Sequence, residues 1–193
     1  MAGLILYLFE QGYNNFLFFT RLGNIIEKTK DNFLNNLSQK YLFNQKIVIN
    51  NKEIKIKAVD NFEQTNNSDI NICFQTIGTL HNRLKDQREN TITAEDFKNK
   101  KVVLLADEAH NFQVKTRNTS NQDDLFGNKI TEEIDDKKPN WENTVGKIFK
   151  KNNANLLLEF TATMDFLDTS IIEKYKNKVI YKYDLKEFRN DGF

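Results

Sequence analysis

Five consecutive apolar residues, Val102-Val103-Leu104-Leu105-Ala106, run straight into Asp107-Glu108-Ala109-His110, and no other stretch restricts the folding of this chain as much. A strand with one wet face alternates apolar and polar side chains. This one does not, so both of its faces must be covered, as they are for a parallel strand inside a layered α/β sheet. Open sheets of that kind bind ligands beyond the C-terminal ends of their strands. The sequence places two carboxylates at that end.

The rest of the chain alternates in the same style. Residues 4–9 are apolar on every side, which at helical pitch predicts a helix buried all round, closed by Gly12. Residues 16–19 form a short buried strand, and residues 24–39 carry Ile26, Phe33 and Leu37 at helical spacing. Residues 46–59 read as a β-hairpin with one wet face and a polar tip at 50–53, inserted at the rim of the sheet. A strand over 70–77 and a short helix over 79–84 follow. Thr93 stands where a hydroxyl would cap the helix that precedes the acidic strand. Residues 115–140 are polar and charged, contain the sole proline, Pro139, and read as a mobile surface loop. Trp141, Val145, Ile148 and Phe149 make an apolar helical stripe before the strand 156–160, and a last strand is expected near 179–183. Alternating helices and near-continuous apolar strands predict an α/β fold, a mostly parallel sheet flanked by helices.

Composition removes several functional classes. At 193 residues there is room for one domain with a substantial core, with or without an appendage, but two full domains are not expected. Lys plus Arg number 28 against 27 Asp plus Glu, a formal net charge of +1, so any contact with a polyanion must come from local placement of charge. The single cysteine, Cys73, forbids an internal disulfide. With no Cys/His cluster at metal-site spacing, it favours a reducing cytoplasm without structural zinc. Residues 1–19 look apolar, but Glu10, Gln11, Asn14 and Asn15 interrupt them and no basic region precedes them, so neither a signal peptide nor a membrane span is expected.

Two acidic side chains at a strand tip suit magnesium and water activation. Asp107 can hold Mg2+ directly or through water, and Glu108 can polarise a water that attacks a terminal phosphate. A second apolar run, Leu156-Leu157-Leu158, empties into Glu159-Phe160-Thr161-Ala162-Thr163. Its threonines can hydrogen-bond an acidic loop on a neighbouring strand without filling the cleft between them. Alone, this would be an ordinary strand end with threonine as a turn residue. Beside Asp107 to His110 it gains a chemical reading.

DEAH followed by TAT resembles the second and third motifs of superfamily 2 helicases and translocases. The segments NFLFFT, NIIEKTKDNF, ICFQTIGTLHNRL, ITAEDFKNKKVVLLADEAH, WENTVGKIF, LLLEFTATMD and YDLKEFRNDGF are similar to the first RecA-like domain of the Res subunits of type III restriction-modification systems. The likeness covers nearly the whole chain and is weakest over 40–68 and 115–140. It implies a P-loop NTPase fold, Mg2+ and ATP as cofactors, and double-stranded DNA, the methyltransferase (Mod) subunit and the rest of the Res polypeptide as partners. It also implies roles for individual residues: Asp107 for Mg2+-ATP, Glu108 as the base that orients water, and His110 as a coupler between nucleotide and DNA. Thr161 and Thr163 would relay nucleotide state. Thr20 and Arg21 lie where the family's first DNA-contacting motif sits, and Thr76 where the next does.

One part of that machinery has no counterpart. A Gly-x4-Gly-Lys-Ser/Thr loop, whose amides and lysine cradle phosphates, occurs nowhere in the 193 residues. Residues 1–5 resemble the helix that begins just after that loop, so the domain is expected to be incomplete at its N-terminus, with neighbouring strands left short of a partner. Three readings stay open from sequence: part of a restriction translocase, a non-catalytic module that binds DNA or a subunit, and a piece of a general DEAH helicase.

Overall fold

The computed structural model describes residues 1–86, 90–109, 141–162, 169–183 and 185–192. It divides into two compact units, residues 1–161 and 162–193. In the first, five strands form one sheet: β1 (Asn15–Thr20), β4 (Ile56–Ala58), β5 (Ile70–Thr76), β6 (Val102–Ala106) and β7 (Leu156–Glu159). Their order is β4-β5-β1-β6-β7, and every neighbouring pair is parallel. Parallel neighbours need crossovers; helices supply those among β1, β5, β6 and β7, while β4 reaches β5 through residues 59–69 without one, and the α/β class expected from the apolar runs is the one observed.

The period-2 pleat sorts each strand's side chains to opposite faces. Phe16 and Phe18 of β1, with Val103 and Leu105 of β6, pack under helices α1 (Ala2–Glu10) and α2 (Gly23–Leu34). Leu17 and Phe19, with Val102, Leu104 and Ala106, pack under α3 (Ile77–Lys85), α4 (Asp96–Asn99) and α5 (Trp141–Phe149). All four apolar residues of β1 are 0% exposed. Burying each is worth about 1.5–3 kcal/mol, which makes β1 the central beam of the unit.

Several boundaries differ from the sequence expectation. Helix α1 buries Ile5 and Leu8 but leaves Tyr7 57% exposed, so it presents one apolar stripe and is not buried all round. Gly12, at φ +84°, follows its end as expected. Helix α2 stops at Leu34, short of residue 39, because the Asn35 side chain accepts from the Leu37 amide and turns the chain away. The hairpin is shorter too. Strands β2 (Ile47–Ile49) and β3 (Lys52–Ile54) pair antiparallel around Asn50 and Asn51, both at positive φ, the two-residue turn that matches strand twist. Residues 56–58 leave the hairpin and join the main sheet as β4. The cap before α4 is reversed. Thr93 donates from its amide and its hydroxyl to the Asp96 carboxylate, which also accepts the Phe62 amide. The loop expected over 115–140 lies outside the described residues.

The second unit holds α6 (Thr169–Tyr175) and α7 (Leu185–Asn190). The strand expected near 179–183 does not form. No other strand exists among the described residues of this unit to pair its backbone, and Ile180 and Tyr181 stand 88% and 78% exposed. Tyr181 and Tyr183 stack, and the Tyr183 hydroxyl donates to Asp191 at 2.7 Å. No helix among the described residues is long and apolar enough to cross a membrane.

Candidate functional site

Because all five strands are parallel, their C-terminal ends form one rim. Reading across it, Thr76 ends β5, Thr20 ends β1, Asp107 follows β6, and Thr161 lies just past β7. Thr20 and Thr76 are register partners. The Asp107 amide donates to the Phe19 carbonyl at 3.0 Å, which fixes the acidic tip beside the end of β1.

The tips of β6 and β7 are laced together beyond their ladder. Ala106 pairs with Glu159 in register. The Phe160 amide donates to the Ala106 carbonyl at 2.8 Å, and the Ala109 amide donates back to the Phe160 carbonyl at 2.9 Å. Residues 107 and 108 therefore form a short bulging turn whose base is closed by Ala109, itself buried. Glu108 sits in that turn at φ +52°, in the left-handed region that side chains with a Cβ rarely occupy. Non-glycine residues held there cluster at functional sites because the surrounding structure must enforce them. The turn thus presents two carboxylates at the sheet's rim with Thr161 on the adjoining tip.

Electrostatics at this tip favour a cation. Burial pushes the Asp107 carboxyl above its ordinary value; the Glu108 amide works against that shift, the Glu108 charge adds to it, and the N-terminal ammonium of Met1 pulls it back. Helix α1 runs antiparallel to the strands, since its far end at Phe9 and Gly12 lines a recess with Lys100 and Lys101, ahead of β6. Its N-terminus therefore points toward the rim that carries Asp107.

Of the remaining candidates, Thr20, Arg21 and Thr76 fall on or near the same rim. Thr20 is 0% exposed and its hydroxyl is buried without a hydrogen-bond partner. Arg21, next along, is exposed. The Thr76 hydroxyl caps α3, accepting from the Thr79 amide at 3.2 Å. His110 and Thr163 lie outside the described residues. His81, read from sequence as structural, bridges α3 to α5 through Nδ1 and the Thr144 hydroxyl at 2.7 Å; burial, then Lys85 and Lys147, lower its pKa.

Among the described residues no group of three or more His, Cys, Asp or Glu could cage a metal. That donor set fits magnesium carried in with a nucleotide. Mg2+ keeps most of its water and takes one or two carboxylates plus phosphate oxygens, and has no need of a protein cage. The unsatisfied Thr20 hydroxyl, a strand away from Asp107, adds a polar group that a ligand or water at the rim would satisfy.

Two buried polar residues escaped sequence reasoning. Asp96 holds three donors, as described above. Asn155, 3% exposed, accepts from the Val102 amide at 3.0 Å and donates to the Phe97 carbonyl at 3.0 Å, tying the start of β6 to the end of α4. The only sequence signal is a polar residue directly before the leucine run of β7.

A family model described as "Type III restriction enzyme, res subunit" matches residues 1–166. The chain is 36% identical over 200 aligned residues to the probable type III restriction-modification enzyme HindVIP Res subunit of Haemophilus influenzae (strain ATCC 51907 / DSM 11121 / KW20 / Rd). That match covers 100% of this chain and 38% of the relative, so the chain spans well under half of the relative's length. No solved structure matches.

Proposed function

Since the chain belongs to the Res-subunit family of type III restriction enzymes, we propose that it is part of an ATP-dependent DNA translocase motor, acting in the cytoplasm with the rest of a Res polypeptide and a Mod methyltransferase subunit on double-stranded DNA. One observation carries the reading: Asp107 and Glu108 are presented on a strained turn at the strand ends, hydrogen-bonded through Ala109 and Phe160 to the tip that bears Thr161.

Bound Mg2+-ATP would supply the electrophilic phosphorus and the charge that polarises it. Asp107 holds the ion's water shell or the ion itself; its partial burial makes the free carboxylate costly and a cation at that place favourable. Glu108, held at positive φ on the turn, orients the attacking water and accepts its proton. Thr161, beside Phe160, reads the state of the acidic turn through the hydrogen bonds of Phe160, Thr163 shares the relay, and His110 couples that turn to the DNA track. With the Thr20 hydroxyl buried and the Thr76 hydroxyl occupied by the α3 cap, Arg21 takes the direct contact with a DNA phosphate, while the two threonines shape the strand tips beneath it.

No phosphate-gripping Gly-x4-Gly-Lys-Ser/Thr loop occurs in these 193 residues, and on this reading the rest of the Res polypeptide supplies it. The isolated 193-residue chain should therefore show negligible Mg2+-dependent ATPase, and the same residues within a full Res–Mod complex should hydrolyse ATP in a manner abolished by Glu108→Gln. Substantial turnover by the chain alone, lost in Glu108→Gln, would overturn the shared-site reading. Full-complex turnover indifferent to Glu108→Gln would overturn the role of the acidic turn.

A further inference from the structure

The opposite end of the sheet carries its own concentration of charge. The segment 98–101 (Lys-Asn-Lys-Lys) immediately precedes β6 and the segment 150–153 (Lys-Lys-Asn-Asn) ends two residues before β7, so both stand at the N-terminal ends of the strands. Asn152 clips them together, its side-chain amide donating to the Lys98 carbonyl at 3.1 Å and the Lys100 carbonyl at 3.4 Å. Lys98 pairs with Glu95 at 3.6 Å. Lys100, Lys101, Lys150 and Lys151 have no ion-pair partner among the described residues, and Lys101 lies over the Tyr13 ring at 5.2 Å. Beside them opens a polar recess of about 530 Å3, lined in part by Asn14, Asn99, Lys100 and Lys101. In a chain whose total charge is only +1, four lysines gathered on two clipped loops are an uneven distribution.

We propose that this basic end is a second nucleic-acid contact, one that holds the phosphate backbone of duplex DNA without reading its sequence, at a place distinct from the acidic rim. The two ends are separated by the length of β6, about 15 Å at roughly 3.3 Å per residue, so a backbone lying along the lysines does not touch Asp107. Protein interfaces deplete lysine at their centres and rely on aromatic and apolar anchors. Lysines and side-chain amides are instead the groups that hold phosphates and set position. Neutralising several phosphates by lysine releases counterions and gives a steep dependence on salt.

The test titrates a fluorescent duplex of about 25 base pairs with the purified 193-residue chain, without nucleotide, over about 50 to 200 mM salt. Lys100→Ala/Lys101→Ala/Lys150→Ala/Lys151→Ala should bind at least about tenfold more weakly at the low end, and the slope of log K against log salt should fall by about three to four units, near 0.9 per lost phosphate contact. A milder variant, Lys150→Gln/Lys151→Gln, should lose about two units of slope and guards against a folding defect in the fourfold change, with circular dichroism to compare the folds. Lys46→Ala/Lys52→Ala on the hairpin should leave the curve where it is. Binding curves of the lysine variants that superimpose on the wild type at every salt would overturn the proposal, as would absence of duplex binding by the wild type. Unchanged duplex binding with lost binding to polyglutamate would overturn it in favour of an acidic protein partner. Because no ATP is present, these outcomes are independent of the motor reading.

Discussion

Replacing Asn155 by alanine should destabilise the first unit far more than any comparison of residue size suggests. The side chain is 3% exposed and makes two short hydrogen bonds, accepting from the Val102 amide and donating to the Phe97 carbonyl, both at 3.0 Å. Its contacts to the Ile148 and Phe149 carbonyls are longer, at 3.3 and 3.4 Å, and the Ile148 carbonyl keeps the Lys151 amide as a donor when Asn155 is cut back. The loss therefore falls on two groups, one of them the amide of a fully buried residue at the start of β6. Leaving a buried polar group unsatisfied costs about 1–3 kcal/mol, which for the pair gives about 2–4 kcal/mol once some relaxation is allowed. Asn152→Ala, nearby but more exposed and bonded at 3.1 and 3.4 Å, should cost under about 1 kcal/mol. Urea unfolding followed by circular dichroism compares them directly. With a slope near about 2 kcal/mol per molar urea, the Asn155→Ala midpoint should fall by about 1–2 M. A midpoint for Asn155→Ala matching that of Asn152→Ala would refute the claim that this amide clamps the start of β6.

Three further outcomes are expected. Burial raises the Asp107 pKa in the folded chain, so its favourable contribution is present below the ordinary carboxyl value and is lost as pH rises through the raised one; Asp107→Asn should accordingly raise the melting temperature at pH 7 and bring little gain near pH 3, and equal gains at both would contradict the burial argument. Glu108→Gly should relieve the left-handed backbone and stabilise the chain by about 1 kcal/mol, whereas Glu108→Ala should not; a gain of the same size from both would show that the side chain, and not its φ of +52°, is the source. Burial pushes the Cys73 thiol up to about 12, so labelling by a thiol reagent at pH 8 should await unfolding, and rapid labelling of the native chain would contradict its buried placement.

The central strands were legible because their signal is redundant. Residues 16–19 and 102–106 are apolar at every position, and no arrangement other than burial on both faces accommodates such runs. The place of the candidate site was legible for a related reason: carboxylates at the end of a fully apolar strand can only lie at the sheet's rim. What could not be read was set by local hydrogen bonds that periodicity does not register. Leu37 continues the spacing of α2, yet the Asn35 side chain ends the helix before it. Residues 56–58 continue the hairpin's alternation, yet the same alternation serves a parallel edge strand, and pairing with β5 took it. The 179–183 segment has strand composition, but composition cannot provide a neighbouring backbone. Thr20 shows the limit at the site itself. Its position in the motif suggests an exposed contact, while its hydroxyl is buried.

The reciprocal bonds among Ala106, Ala109 and Phe160 make the ends of β6 and β7 behave as a single stiff bracket. Neither tip can slide against the other by one residue without breaking two buried backbone links and inverting the pleat. Whatever pulls on the acidic turn is therefore felt at the threonine beside it as a displacement of the whole bracket.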